Sequence, residues 1–168
     1  MKLRMKIDAP EEEDLSSPSQ NPILLESVFE EELPLLCRQI ENLTKNGEAE
    51  FSVTFLDQAE MRELNKKHRG LDEPTDVLAF PLWEEGEDFA PPPFGLLPLG
   101  DIVICPEEAE REHFPRPRRE VLCLVLAHGF LHLLGWDHDT PEKEEIMWER
   151  QELLKSELLN VIEPKEAS

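Results

Sequence analysis

The chain has 168 residues, which is the length of one ordinary domain with its own hydrophobic core. Its 38 acidic residues against 17 basic ones give a net charge of −21, which excludes nucleic-acid binding driven by overall charge and leaves only local basic patches for that role. The three cysteines lack C-x-x-C spacing, and no apolar run is long enough to span a membrane. These features predict a soluble, cytoplasmic, reduced protein.

The first half of the chain is predicted to alternate strands and helices. Residues 3–7 alternate apolar and basic side chains and favour a strand, and the acidic, Ser- and Pro-containing segment 9–20 favours a mobile loop. Apolar spacing over residues 23–44 favours a helix. Residues 49–56 alternate as a strand, after which Asp57 can cap a helix that runs to about residue 67.

The second half is predicted to contain two short strands, three helices and an acidic, proline-rich mobile loop, followed by a disordered tail. In chain order these are a strand at 77–80, the loop at 84–98, a strand at 102–105, helices at 106–113, 118–134 and 141–159, and the tail at 163–168. The segment 121–127 is apolar nearly all round, so the helix at 118–134 is predicted to lie at the centre of the fold.

This order of elements predicts an α+β fold. Residues 1–168 are expected to form a single domain in which one mostly four-stranded mixed sheet packs with helices around a central metal-binding helix. The order of the strands within the sheet does not follow from the sequence.

Three histidines near the end of that central helix are spaced as metal ligands. His128 and His132 are four residues apart and therefore project from one face of a helix. On a continued helix His138 would point elsewhere, so the helix must stop, and Gly135 is placed to stop it in the left-handed conformation. Trp136 is then expected to pack near the last helical turn while His138 returns to the same ion.

The spacing equals that of the H-E-x-x-H-x-x-G-x-x-H metalloprotease signature, but Gly129 occupies the position of the glutamate base. Three nitrogen ligands without a fourth protein ligand are typical of a catalytic zinc site, in which water takes the open position. The pattern predicts metal-assisted hydrolysis with one Zn²⁺ ion, although imidazole ligands also suit nickel, copper or iron. Unrelated histidines, or a structural zinc that recruits Cys123, are the less favoured interpretations.

Four sequence features together resemble the YbeY family of endoribonucleases and rRNA maturation factors. The histidine motif spans His128 to His138, with Trp136 where the family more often has Tyr or His. The other features are the segment L-N-K-K-H-R-G at 64–70, the segment P-T-D-V-L-A-F at 74–80, and G-D-I-V-I at 100–104. Ala79 replaces the serine of the family pattern. The resemblance covers roughly residues 3–160.

The resemblance implies a zinc-dependent, single-strand-specific endoribonuclease that acts in 16S rRNA 3′-end maturation and ribosome quality control. It implies that His128, His132 and His138 bind zinc and that Arg69 acts beside them in catalysis, with single-stranded rRNA and the small ribosomal subunit as partners. A ribosome-assembly binding protein with a mainly structural metal is the alternative. A metalloprotease is disfavoured by Gly129.

The general base of such a reaction is not evident from the sequence. Asp137 lies beside a predicted ligand, and a role in orienting His138 is favoured over direct contact with water. Thr75 and Asp76 are expected to brace the cleft structurally, with Asp76 as a helix-cap or turn residue and not as a catalytic group. The acidic segments 9–20 and 84–98 add negative charge that must lie away from any surface that binds RNA.

Overall fold

A computed structural model of the chain describes residues 2–8, 23–24, 48–82, 96–136 and 140–162. These residues form five strands and four helices in one α+β arrangement. The strands are β1 (Lys2–Asp8), β2 (Ile23–Leu24), β3 (Glu48–Phe55), β4 (Val77–Pro81) and β5 (Leu96–Ile104). The helices are α1 (Gln58–Arg69), α2 (Pro106–Glu112), α3 (Arg118–Leu133) and α4 (Pro141–Ile162).

The five strands form one mixed sheet in the order β2-β1-β3-β5-β4. β1 and β5 run parallel to β3 on either side of it, whereas β4 is antiparallel to β5 and β2 is antiparallel to β1. The predicted α+β class with one mixed sheet is therefore confirmed. The predicted number of four strands was wrong, because the short strand β2 adds a fifth at the edge of the sheet.

The helix α3 lies at the centre of the described part of the fold. It packs against β4 and β5 of the sheet and against the helices α2 and α4. Every residue from Val121 to Ala127 is buried, which confirms the position that the apolar segment predicted. Phe130 packs against Phe51 of β3, with 5.0 Å between the ring centroids. This packing holds the side chains of the last turns of α3 in fixed positions relative to the sheet.

Two strands begin at residues that the sequence assigned to a helix or a loop, because these residues pair with a distant strand. Residues 23–24 pair with Lys2 and Leu3 as a strand, so the predicted helix does not begin at Ile23. The last predicted strand was expected to start at Ile102. The observed strand β5 already begins at Leu96, so residues 96–98, which were assigned to the mobile loop 84–98, belong to the strand. Pairing with β3 overrides the proline-rich composition, and the register shifts beside the Glu50–Pro98 pair, where a proline is tolerated.

Several other predictions concern segments that the structure does not describe. These are the loop 9–20, most of the helix 23–44, residues 84–95 of the second loop, and the tail 163–168. Within the described helices, α3 ends one residue before the predicted position and α4 continues three residues beyond it. None of these helices combines the length and apolar character needed to cross a bilayer.

The helix α1 and the loop after it are fixed by side-chain hydrogen bonds. Asp57 caps the helix as predicted, since its carboxylate accepts a 2.8 Å hydrogen bond from the backbone N–H of Glu60. Asn65 is buried, and its amide donates to the carbonyl oxygen of Glu73 over 2.7 Å. This bond ties the loop between α1 and β4 to the helix. It therefore fixes the positions of Arg69 and Asp76 at the two ends of that loop.

Candidate metal centre

The chain reverses at the end of α3 in the manner that Gly135 predicted. Gly135 has φ 93°, and its N–H donates to the carbonyl oxygen of His132 over 3.1 Å. The N–H of Trp136 donates to the carbonyl oxygen of Leu131 over 2.9 Å, and the indole is 5% exposed. These two bonds form a Schellman motif, which ends the helix and returns the chain toward it.

His128 and His132 project from α3 with their Nε2 atoms 3.1 Å apart. The two rings meet edge to face, with 4.7 Å between their centroids and an interplanar angle of 77°. Both side chains are half-buried. The spacing of four residues therefore brings two imidazole nitrogens to one point at the surface of the helix, as the sequence predicted.

A side chain of α4 selects the tautomer of His128. Nδ1 of His128 donates to the amide oxygen Oε1 of Gln151 over 2.8 Å. Because an amide oxygen only accepts hydrogen bonds, the proton of neutral His128 resides on Nδ1 and its Nε2 carries a lone pair. Trp148, one turn earlier on α4, lies with its ring centroid 5.7 Å from that of His128. Gln151 and Trp148 thus orient the imidazole that points Nε2 toward His132.

The geometry of the two histidines suits a zinc ion. Two nitrogen ligands in tetrahedral zinc, each at about 2.0–2.1 Å from the metal, lie roughly 3.3 Å apart. The separation of 3.1 Å between the Nε2 atoms is close to that value. The hydrogen bond to Gln151 is the kind of contact that orients histidine ligands in metal sites. His138 and Asp137 lie outside the part of the chain that the structure describes, so the third ligand and the role of Asp137 stay predictions.

His128 and His132 line a cavity of about 600 Å³. Its wall also includes His68 and Arg69 from the end of α1, and Thr75 and Asp76 from the start of β4. Arg69 is exposed to solvent within this wall. The structure therefore brings the predicted Arg69, His128 and His132 to one cavity, although they come from separate elements.

Gly129 lies where α3 approaches the sheet most closely. A Cβ atom at this position would lie 3.0 Å from Cγ2 of Ile102 and 3.2 Å from Cγ2 of Val77. Both separations are shorter than an ordinary van der Waals contact. A glutamate at this position, as in a metalloprotease, would therefore require the side chains of Ile102 and Val77 to shift by a few tenths of an ångström.

A second group of ionisable side chains occupies the wall beside β4. Asp76, Glu112 and His113 each offer a nitrogen or carboxylate oxygen, and these atoms lie within 4.8 Å of one another. Asp76 and His113 line the same cavity as His128 and His132. The group can in principle hold either a cation or a proton. Its chemistry is decided by the hydrogen bonds and charges around it.

Although Glu112 is exposed, partial desolvation of its carboxyl raises its pKa to about 7, and the charge of Asp76 and a hydrogen bond to it are the next causes. The charge of Glu108 acts in the same direction, whereas Arg111 opposes it. Because the folded protein holds this proton more tightly than the unfolded chain, Glu112 makes the protein less stable as the pH rises from about 4.5 to 7.

A comparison with family models matches most of the chain to a known family. The model described as Endoribonuclease YbeY matches residues 19–159 of the chain. The chain belongs to the YbeY family. The resemblance seen in the sequence motifs is thereby confirmed, as is the prediction of an enzyme of the endoribonuclease class.

Individual relatives agree with this assignment. The chain is 43% identical over 129 residues to the endoribonuclease YbeY of Thermoanaerobacter sp. strain X514. This alignment covers 71% of this chain and 79% of the relative. It is 45% identical over 113 residues to the YbeY protein of Moorella thermoacetica, covering 64% of this chain and 72% of the relative. The solution structure of TM1509 from Thermotoga maritima matches with a TM-score of 0.51 and 29% identity, over 99% of this chain and 98% of that one.

Sequence reasoning missed the contributions of α4 and α2 to this cavity. Gln151 and Trp148 lie three residues apart on α4, in a helix whose sequence was assigned only an amphipathic packing role. Glu112 and His113 were assigned only to the end of a short helix. Gln151, Trp148 and His113 line the cavity because one helix packs on another, so no local spacing marks them.

Replacing Gln151 with alanine is expected to weaken zinc binding by about 10- to 100-fold, because the tautomer and orientation of His128 are then no longer fixed. Competition with a chromophoric chelator measures the affinity. Gln151→Glu keeps an oxygen acceptor for Nδ1 of His128 and should restore most of it. Equal zinc affinity of Gln151→Ala and the wild-type protein would contradict this role.

Proposed function

We propose that this protein is a zinc-dependent endoribonuclease that cuts single-stranded RNA within the cavity beside α3. The observation that supports this most directly is the pair of Nε2 atoms 3.1 Å apart, with the tautomer of His128 set by Gln151. His128, His132 and His138 would hold one Zn²⁺ ion. Bound there, zinc would supply Lewis-acid polarisation of a phosphodiester oxygen.

The substrate proposal rests on Arg69 and on the family. A guanidinium presents a planar fork of donors that matches the oxygens of a phosphodiester and the negative charge that develops on them during cleavage. Arg69 lines the cavity and is exposed to solvent, so its guanidinium can contact a bound phosphate directly. Relatives at 42% to 45% identity are named endoribonucleases.

The cellular role follows from the same family. We propose that the substrate is the 3′ region of 16S rRNA in the small ribosomal subunit, with ribosome quality control as the wider setting and the cytoplasm as its location. A mainly structural metal in a ribosome-assembly factor is the alternative. The two differ in one respect, which is whether the metal is needed for RNA cleavage.

The test is cleavage of a single-stranded RNA carrying the 16S 3′ end by the zinc-loaded protein, before and after chelation and after zinc is restored. We expect cleavage that is lost with the metal and recovered with it, and little cleavage of the same sequence in a duplex. A protein with full zinc occupancy that leaves the RNA intact would contradict the nuclease proposal. Folding should be followed by circular dichroism in each state.

Replacing Arg69 with alanine is expected to lower kcat/KM for RNA cleavage by about 10²- to 10³-fold, the usual effect of removing one donor to a developing charge. Arg69→Lys keeps the charge without the fork and should recover only part of the loss. Arg62→Ala is a matched control, since Arg62 lies on the same helix and pairs with Asp72 in an exposed ion pair. A loss equal for Arg62→Ala and Arg69→Ala would indicate a general charge effect instead.

A further inference from the structure

The cavity beside α3 is lined by two kinds of side chain. Arg69, His128 and His132 offer the charged and polar groups that suit a phosphate. The apolar and aromatic side chains of the wall are those of Val77, Leu78, Ala79, Pro81, Val125 and Trp148. Pockets of about 300–1,000 Å³ bury small organic ligands, and this one has about 600 Å³. The lining therefore suits a nucleotide unit, whose phosphate and base need different surroundings.

Trp148 presents an unusually open indole to this cavity. The side chain is 41% exposed, whereas Trp136, which packs against the end of α3, is 5% exposed. The ring centroid of Trp148 lies 5.7 Å from that of His128, so one part of the indole covers the imidazole while much of the ring surface stays open to solvent. A tryptophan that served packing alone would be covered as Trp136 is. The open surface of Trp148 is thus available to a ligand in the cavity.

The charges on α4 decide which part of a nucleotide Trp148 can contact. Glu144 and Glu145 lie four and three residues before Trp148, which is one helical turn, and both are exposed. Their carboxylates repel a phosphate but do not repel an uncharged base. The guanidinium of Arg69 and the two histidines lie on other elements and attract the phosphate instead. The distribution of charge therefore places a base, and not a phosphate, at Trp148.

We propose that Trp148 forms a nucleobase subsite, in which the base of a nucleotide beside the cleaved phosphodiester stacks on the indole. This inference deepens the proposed function and rests on it. It also gives a physical reason for cleavage of single strands, because a base in a duplex is stacked between its neighbours and cannot reach an aromatic side chain. Stacking tolerates every base, since each has a π face. The subsite should therefore select unpaired RNA with little preference for sequence.

The first test pairs a variant of the protein with a change in the RNA. Trp148→Leu keeps an apolar side chain against His128 but removes the aromatic face. Its kcat/KM for single-stranded RNA with the 16S 3′ end should fall by about 5- to 150-fold, the loss that corresponds to one stacked base. RNAs that lack a single base, at each position near the cut in turn, should show a similar loss with the wild-type protein at one position.

At that position Trp148→Leu should lose little more, because the two changes remove the same contact. Losses that multiply at every position would overturn the subsite. Trp148→Phe keeps a smaller aromatic face and should recover most of the rate. Leu153→Ala is the matched control, since Leu153 also lies on α4, is 46% exposed and is not part of the cavity wall. An equal loss in Leu153→Ala would assign the effect to α4 as a whole and reject the subsite.

Zinc content distinguishes stacking from a role of Trp148 in orienting His128 alone. Each variant should be assayed with one equivalent of zinc, confirmed by elemental analysis. We expect Trp148→Leu to stay slow at saturating zinc. Recovery of the wild-type rate under that condition would assign Trp148 only to the orientation of His128 and would reject the subsite.

The second test does not depend on activity. Adenosine 5′-monophosphate and ribose 5-phosphate carry the same phosphate, but only the first carries a base. In the zinc-loaded protein the nucleotide should quench tryptophan fluorescence and the sugar phosphate should not. Trp148→Leu should lack this quenching although it keeps Trp83 and Trp136. No quenching by adenosine 5′-monophosphate, or equal quenching in Trp148→Leu, would overturn the proposal.

Salt separates the base contact from the phosphate contact. Removing one phosphate contact on a single strand reduces the slope of log affinity against log salt by about 0.7, which is the change expected for Arg69→Ala. Trp148→Leu should leave the slope unchanged, and a reduced slope would show that Trp148 supports a phosphate instead. Wild-type cleavage without coupling between Trp148 and any base would overturn the subsite and leave the nuclease proposal intact. A zinc-loaded wild-type protein that cuts no RNA would overturn both.

Discussion

Replacing His132 with alanine is expected to remove the bound zinc and to reduce RNA cleavage by at least ~10³-fold, since a catalytic metal contributes several kcal/mol to the transition state. The Nε2 atom of His132 is one of two nitrogens that converge within 3.1 Å, and alanine offers no replacement donor. The remaining ligands, His128 and the predicted His138, cannot hold the ion with comparable affinity.

Zinc content by elemental analysis, measured beside the rate of RNA cleavage, checks this expectation. His68→Ala is the control for zinc content, because His68 lines the same cavity but packs against Phe80 with 4.5 Å between ring centroids. It should retain one equivalent of zinc. Retention of zinc and of cleavage by His132→Ala would reject the histidine pair as the metal site.

The local geometry that the sequence predicted correctly depends on short-range spacing. His128 and His132 meet because helical periodicity places residues four apart on one face. The reversal after Leu133 follows from one glycine, since only the left-handed conformation at Gly135 allows the two closing hydrogen bonds. Each of these inferences needs fewer than ten consecutive residues, and each was confirmed.

The parts that it missed depend on contacts between distant segments. Gln151 reaches His128 from 23 positions along the chain through the packing of α4 on α3. His113 approaches Asp76 across 37 positions because the start of α2 is tied to the start of β4. The same applies to the sheet, where β5 begins at Leu96 because it pairs with β3, and its proline-rich sequence gives no sign of this.

Replacing Gly129 with glutamate is expected to destabilise the fold without creating a peptidase. Its Cβ alone would lie 3.0 Å from Ile102 Cγ2, and the rest of the side chain would bring a carboxylate against the apolar contact between α3 and the sheet. Overpacking of a core costs about 1–3 kcal/mol, and the buried charge adds to this. We therefore expect a loss of more than about 2 kcal/mol in the free energy of unfolding, with less zinc bound.

Gly129→Ala shows how much of the expected loss of stability comes from overpacking alone, because alanine adds a methyl group without a charge. A methyl group gains about 1 kcal/mol of helix propensity over glycine, which offsets part of the overpacking. Combining it with Val77→Ala removes one of the two close contacts, so a double-mutant cycle from urea denaturation should give a favourable coupling energy. A Gly129→Glu protein as stable as the wild type would show that α3 can accept a carboxylate. In that case the absence of a glutamate at this position would not have a steric cause.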